Sequence, residues 1–222
     1  MDAVLPVCKP VELTSYDVIR VFKRAVHPDY KIGHGGTLDP FADGVLLLLL
    51  GKATKQMNML MALPKTYQAT AVLGAKSDTL DLTGNIEQCH GDTVSLEQIE
   101  EAVKKFVGEI EQEIPEYSAA KVNGVPRYKL ARRGIKQEKK TKRVTIFELE
   151  IRKQELGKVT FEATGSAGTY IRQLSYDLFK SLGVESYLES LTRTKVGDLT
   201  LEKCCTINDF TSDSWKKHVT MF

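Results

Sequence analysis

The amino-acid sequence predicts an α+β fold, and three observations carry that reading. Segments of strand-like and helix-like hydrophobic period follow one another without a regular βαβ rhythm. The run VLLLLL at 45–50 is short, apolar and followed by Gly51, as expected of a strand buried on both faces; leucine is a weak strand former, so a buried helix stays open there. Residues 95–110 place Leu96, Ile99, Val103, Phe106 and Val107 at helical spacing behind Ser95, a good N-cap, and read as an amphipathic helix.

Thr14 or Ser15 caps a helix running through Tyr16, Val18, Ile19 and Phe22. Residues 33–44 hold Gly33, Gly35, Gly36, Gly44 and Pro40, a composition for tight turns. Alternation at 65–74, 144–154 and 159–166 predicts strands, and 171–183 reads as a helix closed by Gly183. No repeat, low-complexity tract or linker divides the chain, so residues 1–222 are expected to form one domain.

Hydrophobic content of 42% and charged content of 27% are those of an ordinary soluble domain, and a net charge of +2 makes no case by itself for an acidic partner. Cys8, Cys89, Cys204 and Cys205 fit neither a zinc site nor a disulfide framework. The N-terminus lacks the regions of a signal peptide, and the longest apolar run is too short to cross a bilayer. A reduced, cytoplasmic protein without a membrane partner is expected. Charge is unevenly placed: RYKLARRGIKQEKKTKR at 127–143 carries nine Lys or Arg against one Glu. Such a run is either a solvated face or a phosphate-tracking arm. Its single sign, with Tyr117 and Tyr128 nearby, favours the arm.

Asp39 stands in GHGGTLDPFADGVLLLLLGKATK at 33–55, between a glycine-rich turn and the leucine run. A P-loop is excluded, because Gly51-Lys52 is followed by Ala53 and the glycine cluster precedes its strand. A dinucleotide fingerprint fails on the same order. His34, Asp39 and Asp43 match no standard metal spacing, and GSAG at 165–168 is not a nucleophile elbow. What remains is a carboxylate whose backbone is restricted by the following proline. It is either a nucleophile or the acceptor of an Asx-turn, and the local peptide alone favours the turn.

The wider pattern resembles the TruB family of pseudouridine synthases. The block at 33–55 resembles that family's G-H-x-G-x-L-D-P, G-V-L and G-x-A-T-K elements. Lys9-Pro10 with Thr14-Ser15 resembles its K-P and T-S segment, and Lys65-Thr66-Tyr67 its K-x-Y. Gly74 with Asp78-Thr79, Asp81 and Gly84 resembles its T-D-T-x-D-x-x-G loop. Tyr117-Ser118-Ala119, Lys121, Gly124, Arg127-Tyr128 and Ala131-Arg132 resemble its Y-S-A-x-K and A-R element. Gly168-Thr169-Tyr170-Ile171-Arg172 resembles its G-T-Y-I-R strand, and Leu191, Arg193-Thr194 and Gly197 its closing L-x-R-T-x-x-G. The matches run in family order over residues 9 to about 200. Val11-Glu12, Glu116 and Gly165 depart from the pattern, and none of them touches the expected chemistry.

The resemblance implies a pseudouridine synthase catalytic fold: a mixed, mostly antiparallel sheet flanked by helices, with an active-site cleft. It implies isomerisation of uridine to pseudouridine in the T stem-loop of tRNA, at position 55, by a flipped base and an aspartate nucleophile, with no cofactor and no metal. Asp39 is then the nucleophile, with Tyr67 and Arg172 catalytic beside it. Arg172 is expected to pair with Asp39, and to share one face of an extended strand with Tyr170. His34, Tyr67, Tyr170 and Leu191 would bind the substrate. A basic insertion at about 115–145 would clamp RNA through Arg127, Arg132, Arg133, Lys136, Lys139, Lys140, Lys142 and Arg143, and Lys9, Lys52 and Lys55 would either add positive charge around the cleft or be ordinary surface lysines. The chain is expected to act as a monomer without the C-terminal RNA-binding domain of many family members.

Overall fold

The computed structural model describes residues 1–89 and 93–221. In chain order the elements are β1 (Ala3–Lys9), α1 (Ser15–Val26), β2 (Ile32–His34), β3 (Asp43–Leu50), a 3-10 turn (Gly51–Gln56), α2 (Met57–Ala62) and β4 (Lys65–Leu73). Then follow β5 (Ala75–Ser77), β6 (Ile86–Gln88), α3 (Leu96–Val103), β7 (Gly108–Glu113), β8 (Lys121–Val122), β9 (Val125–Pro126), α4 (Arg127–Ala131), β10 (Thr141–Glu155), β11 (Lys158–Gly165) and α5 (Ile171–Lys180). The chain closes with β12 (Ser186–Val196), β13 (Leu199–Thr200), three short 3-10 turns and β14 (Thr220–Met221). These elements form two compact units, Met1–Gln68 with Leu191–Phe222, and Ala69–Ser190. Both crossings lie inside strands, β4 and β12, which is why no linker is visible in the sequence.

The first unit is built on β3. Along one edge it pairs antiparallel with β1, from Ala3 opposite Leu50 to Lys9 opposite Gly44. Its other edge carries β2 beside Leu48–Leu50 and, at the opposite end, β12, which runs parallel with Thr192 opposite Asp43. The leucine run is therefore a strand. Its period of two sends Leu46, Leu48 and Leu50 into one cluster with Leu5, Val7, Phe22 and Trp215, and Val45, Leu47 and Leu49 into another with Val4, Leu60 and Val196. Each fully buried leucine contributes about 1.5–3 kcal/mol of transfer free energy. α1 covers the first cluster. Its start is set by a capping box in which Thr14 accepts from the Asp17 N–H and Asp17 accepts from the Thr14 N–H.

In the second unit β10 pairs antiparallel with both β7 and β11. α3 lies against β10, where Ile99, Ala102 and Val103 are buried, and α5 buries Leu174, Leu178 and Phe179. The pairings described are antiparallel apart from β12 beside β3, which gives the mixed, mostly antiparallel sheet flanked by helices that the resemblance implies.

Two local expectations are corrected. The helix expected over 95–110 stops at Val103, because 108–113 are taken by the β7 ladder, with Gly108 opposite Ile146 and Glu113 opposite Thr141. A helical period cannot anticipate that pairing. The GTYIR segment is not a strand either. Gly168 turns the chain at φ +80°, Tyr170 is the N-cap, and Ile171 and Arg172 open α5. Strand alternation therefore does not place Tyr170 and Arg172 on one face.

Candidate active site

Asp39 lies on the connection between β2 and β3, and buried side chains hold that connection from several sides. Arg193, on β12 and 1% exposed, donates from Nε to the Val45 carbonyl at 2.7 Å, from Nη1 to Thr37 at 3.3 Å and from Nη2 to Gly36 at 3.4 Å. Ser15, the first residue of α1, accepts from the Leu38 N–H at 2.9 Å. Lys9, fully buried at the end of β1, donates to the carbonyls of Pro10 (2.8 Å), Leu13 (2.7 Å) and Pro40 (3.4 Å), and the Glu12 N–H reaches Pro40 at 2.7 Å. Gly44 sits at φ +106°, where a Cβ would lie 2.2 Å from the Arg193 carbonyl, so only glycine lets β12 close on β3 there. Leu38, Phe41 and Ala42 are buried on either side of the half-buried Asp39. The result is a carboxylate on a backbone with little freedom, the arrangement an attacking group needs.

Electrostatics on the loop follow from burial. Desolvation pushes the Lys9 ammonium down to about 8, against the attraction of the Asp43 and Asp39 carboxylates. Lys9 was expected either to add positive charge around the cleft or to be an ordinary surface lysine. The structure corrects this: its three donors are engaged by carbonyls, and it tethers the loop. Lys52 is exposed and pairs with Asp2 at 3.3 Å. Burial holds His34 below the usual imidazole range, and its Nδ1 is buried without a hydrogen-bond partner. Tyr67 is 9% exposed on β4, on the same strand face as Lys65, which is pushed down to about 8 by burial and donates to the Met61 and Leu63 carbonyls. Leu191 is 6% exposed and shares a face of β12 with Arg193. His34, Asp39, Tyr67 and Leu191 thus all belong to the first unit.

Arg172 and Tyr170 belong to the second. Arg172 is 3% exposed, donates to the carbonyls of Thr79 at 2.6 Å and Tyr117 at 3.0 Å, and lies 3.2 Å from Asp81 Oδ2. The other oxygen of Asp81 accepts from Thr79 Oγ1 at 2.7 Å and from the Thr83 N–H at 2.9 Å, which aims Oδ2 at the guanidinium. Asp81 was visible only as a motif letter. Its role emerges because the loop at 78–84 folds around it. Arg193 was likewise visible only as a motif letter, because the carbonyls it clamps lie far away in the chain.

The basic stretch divides. Arg127 is corrected as an RNA contact: it is 2% exposed, with Nε donating to the Pro115 carbonyl at 3.3 Å and Nη1 to the Glu138 carbonyl at 3.2 Å, so it ties the stretch to the chain that precedes it. Lys142 is half-buried, donates to the Gly168 carbonyl, and lies 4.2 Å from the centre of the Tyr170 ring. Lys139, exposed, pairs with the half-buried Glu113 at 3.0 Å, and Arg143 pairs with Glu109 at 3.5 Å, both exposed. Arg132, Arg133, Lys136 and Lys140 are exposed, with Arg132 lying over the Tyr128 ring. Among the described residues no group of three or more His, Cys, Asp or Glu side chains is placed to hold a metal ion, and no helix is long and apolar enough to cross a membrane.

The chain superposes on a chain in the crystal structure of a Cbf5-Nop10-Gar1 complex with a TM-score of 0.77 at 28% identity, covering 99% of this chain and 60% of that one. It superposes on a chain in the structure of an H/ACA RNP bound to a substrate RNA containing 2′-deoxyuridine with a TM-score of 0.73 at 26% identity, covering 99% and 59%. The chain thus spans about 60% of the length of these solved chains. Sequence relatives define the class as that of pseudouridine synthases. tRNA pseudouridine synthase B of Clostridium acetobutylicum is 43% identical over 198 residues, covering 89% of this chain and 68% of that protein. The protein of that name from Aquifex aeolicus is 36% identical over 217 residues, covering 96% and 74%. The family described as TruB family pseudouridylate synthase (N terminal domain) matches residues 23–171. The chain belongs to the TruB family.

Proposed function

We propose that the chain is an isomerase that converts uridine to pseudouridine in tRNA, in the T stem-loop at position 55, with Asp39 as nucleophile. The observation that carries the proposal is the clamped loop: a half-buried aspartate inside the family's most extended sequence block, its backbone fixed through Lys9, Ser15 and Arg193. The reaction breaks the N1–C1′ glycosidic bond, turns the uracil and forms a C5–C1′ bond. The proton at C5 is lost and N1 gains one, so atoms and electrons balance within the nucleotide.

The target base must leave its stack to reach a protein carboxylate. His34, kept neutral by burial, is suited to fill the space the base leaves. On its motif Tyr67 is assigned to lie against the flipped uracil and to relay the C5 proton, and Tyr170 and Leu191 are assigned to substrate binding on theirs. Arg172 is assigned to the reaction on its motif, in a setting where Asp81 and two carbonyls fix the guanidinium. The exposed residues of the basic segment contact phosphates, giving affinity without sequence choice, while the shape of the RNA loop provides selection. The enzyme acts as a monomer in the cytoplasm.

The test is incubation of the purified protein alone with an unmodified tRNA transcript, followed by carbodiimide-dependent primer extension. Pseudouridine at the T-loop uridine is expected. Binding without product would reduce the protein to an RNA-binding scaffold, and product formed only with added guide RNA and proteins would move it to a ribonucleoprotein role.

A further inference from the structure

Gln112 and Lys142 stand directly opposite each other in the antiparallel β7–β10 ladder. Both side chains engage the same short segment, 168–170. Gln112, fully buried, closes both ends of its amide on the Tyr170 backbone: Oε1 accepts from the Tyr170 N–H at 2.8 Å and Nε2 donates to the Tyr170 carbonyl at 3.0 Å. Tyr170 is the N-cap of α5 and its own side chain makes no capping hydrogen bond; the glutamine instead fixes the backbone of the N-cap residue itself, on the side the helix enters. Lys142 donates to the Gly168 carbonyl and holds its ammonium 4.2 Å from the ring centroid of Tyr170. Gly168 takes φ +80°, a backbone conformation that favours glycine, and Lys142 Nζ is the group nearest the site a Cβ would occupy. Burial also holds the Lys142 ammonium below the usual lysine range, as for an enclosed group rather than a displayed one. Strand alternation separates this pair from its neighbours. Glu111 and Arg143 point to the other side, where both are exposed.

We propose that the cross-strand pair Gln112–Lys142 is a positioning device for Tyr170, and that Lys142 acts on this tyrosine instead of on an RNA phosphate. The inference rests on the reading of Tyr170 as a substrate-lining residue. Gln112 fixes the backbone and Lys142 fixes the ring. Because β10 continues directly from the basic segment, the pair also joins that segment to the tyrosine.

Lys142→Met, Lys142→Arg and Gln112→Ala separate the alternatives. Lys142→Met and Gln112→Ala are expected to slow single-turnover pseudouridine formation about 10–100-fold through misplacement of Tyr170. Their tRNA Kd should stay within about twofold and the salt dependence of binding should not change, since no phosphate contact is lost. Lys142→Arg, which keeps a cation over the ring, should restore most of the rate. The opposite pattern overturns the proposal: weaker tRNA binding, a salt slope reduced by about 1, and an unchanged rate at saturation would make Lys142 a phosphate contact. A readout without RNA stands apart from activity. In protein carrying 13C-labelled tyrosine, the Tyr170 ring signal, assigned with Tyr170→Phe, should shift in Lys142→Met and in Gln112→Ala and stay near its original position in Lys142→Arg. A signal unmoved in the first two variants would sink the device. If the unmodified enzyme forms no pseudouridine on tRNA, the functional reading fails, and this spectrum still decides whether the pair holds the tyrosine.

Discussion

The Asp39 loop and the basic segment at 127–143 are both short on regular structure, yet they are held by opposite means. Around Asp39 the positive groups are inside. Lys9 and Arg193 are almost wholly buried, and each donates to three carbonyls. In the basic segment Arg127 is held that way and Lys142 partly so, while the exposed Lys139 and Arg143 meet glutamates and Lys136 and Lys140 face solvent. A buried charged donor that loses its acceptors is costly, so the first arrangement permits one geometry. Exposed ion pairs contribute little and are exchanged readily for phosphates, so the second permits many. The proposed function puts the chemistry where the backbone cannot move, and the affinity where the side chains can.

The contrast breaks most sharply at the carboxylate itself. Asp39→Asn should reduce pseudouridine formation to background while tRNA affinity changes by no more than a few-fold, measured by primer extension and filter binding. Equal loss of binding and activity would make Asp39 a structural residue.

The clamp comes next. Arg193→Met leaves the Val45, Thr37 and Gly36 carbonyls without their donor and should lower stability by about 2–4 kcal/mol in urea denaturation. Turnover should fall more than tRNA affinity. A variant as stable as the parent would show that the loop holds itself.

On the exposed side the effects are smaller. Lys136→Gln with Lys140→Gln should leave stability within about 0.5 kcal/mol. Each should reduce the slope of log affinity against log salt by about 1, with the rate at saturating tRNA unchanged.

The weakest expected signal is a pH effect. Burial holds His34 below its ordinary value of 6.5, so on acidification the unfolded chain takes up this proton before the folded one. The stability linked to His34 is present above 6.5 and is lost as pH falls through that value toward the lower folded one. His34→Gln should flatten this part of the pH profile of urea midpoints. An unchanged profile would assign the acid sensitivity to carboxylates.

The family block at 33–55 picked out Asp39, and the count of cations at 127–143 picked out the segment, without any coordinates. What stayed hidden was the direction in which each cation turns. Arg127 and Lys136 look alike in the sequence, but one is 2% exposed and the other faces solvent. Asp81 was legible as part of a loop, but not as the partner of an arginine ninety-one residues further along the chain. GTYIR has the composition of a strand, yet the turn at Gly168 makes it a helix start.

The amino-acid order alone announced features that arise within a few residues: a helix cap at Thr14 or Ser15, the burial of the leucine run, the restriction of Asp39 by Pro40, and the one-sided charge of the basic segment. Only the tertiary structure decided which lysines and arginines are inside, where the 95–110 helix stops, and what holds Tyr170. Hydrophobic period and turn chemistry act locally. A buried cation needs acceptors, and a strand needs a ladder, that are supplied by segments far away in the chain.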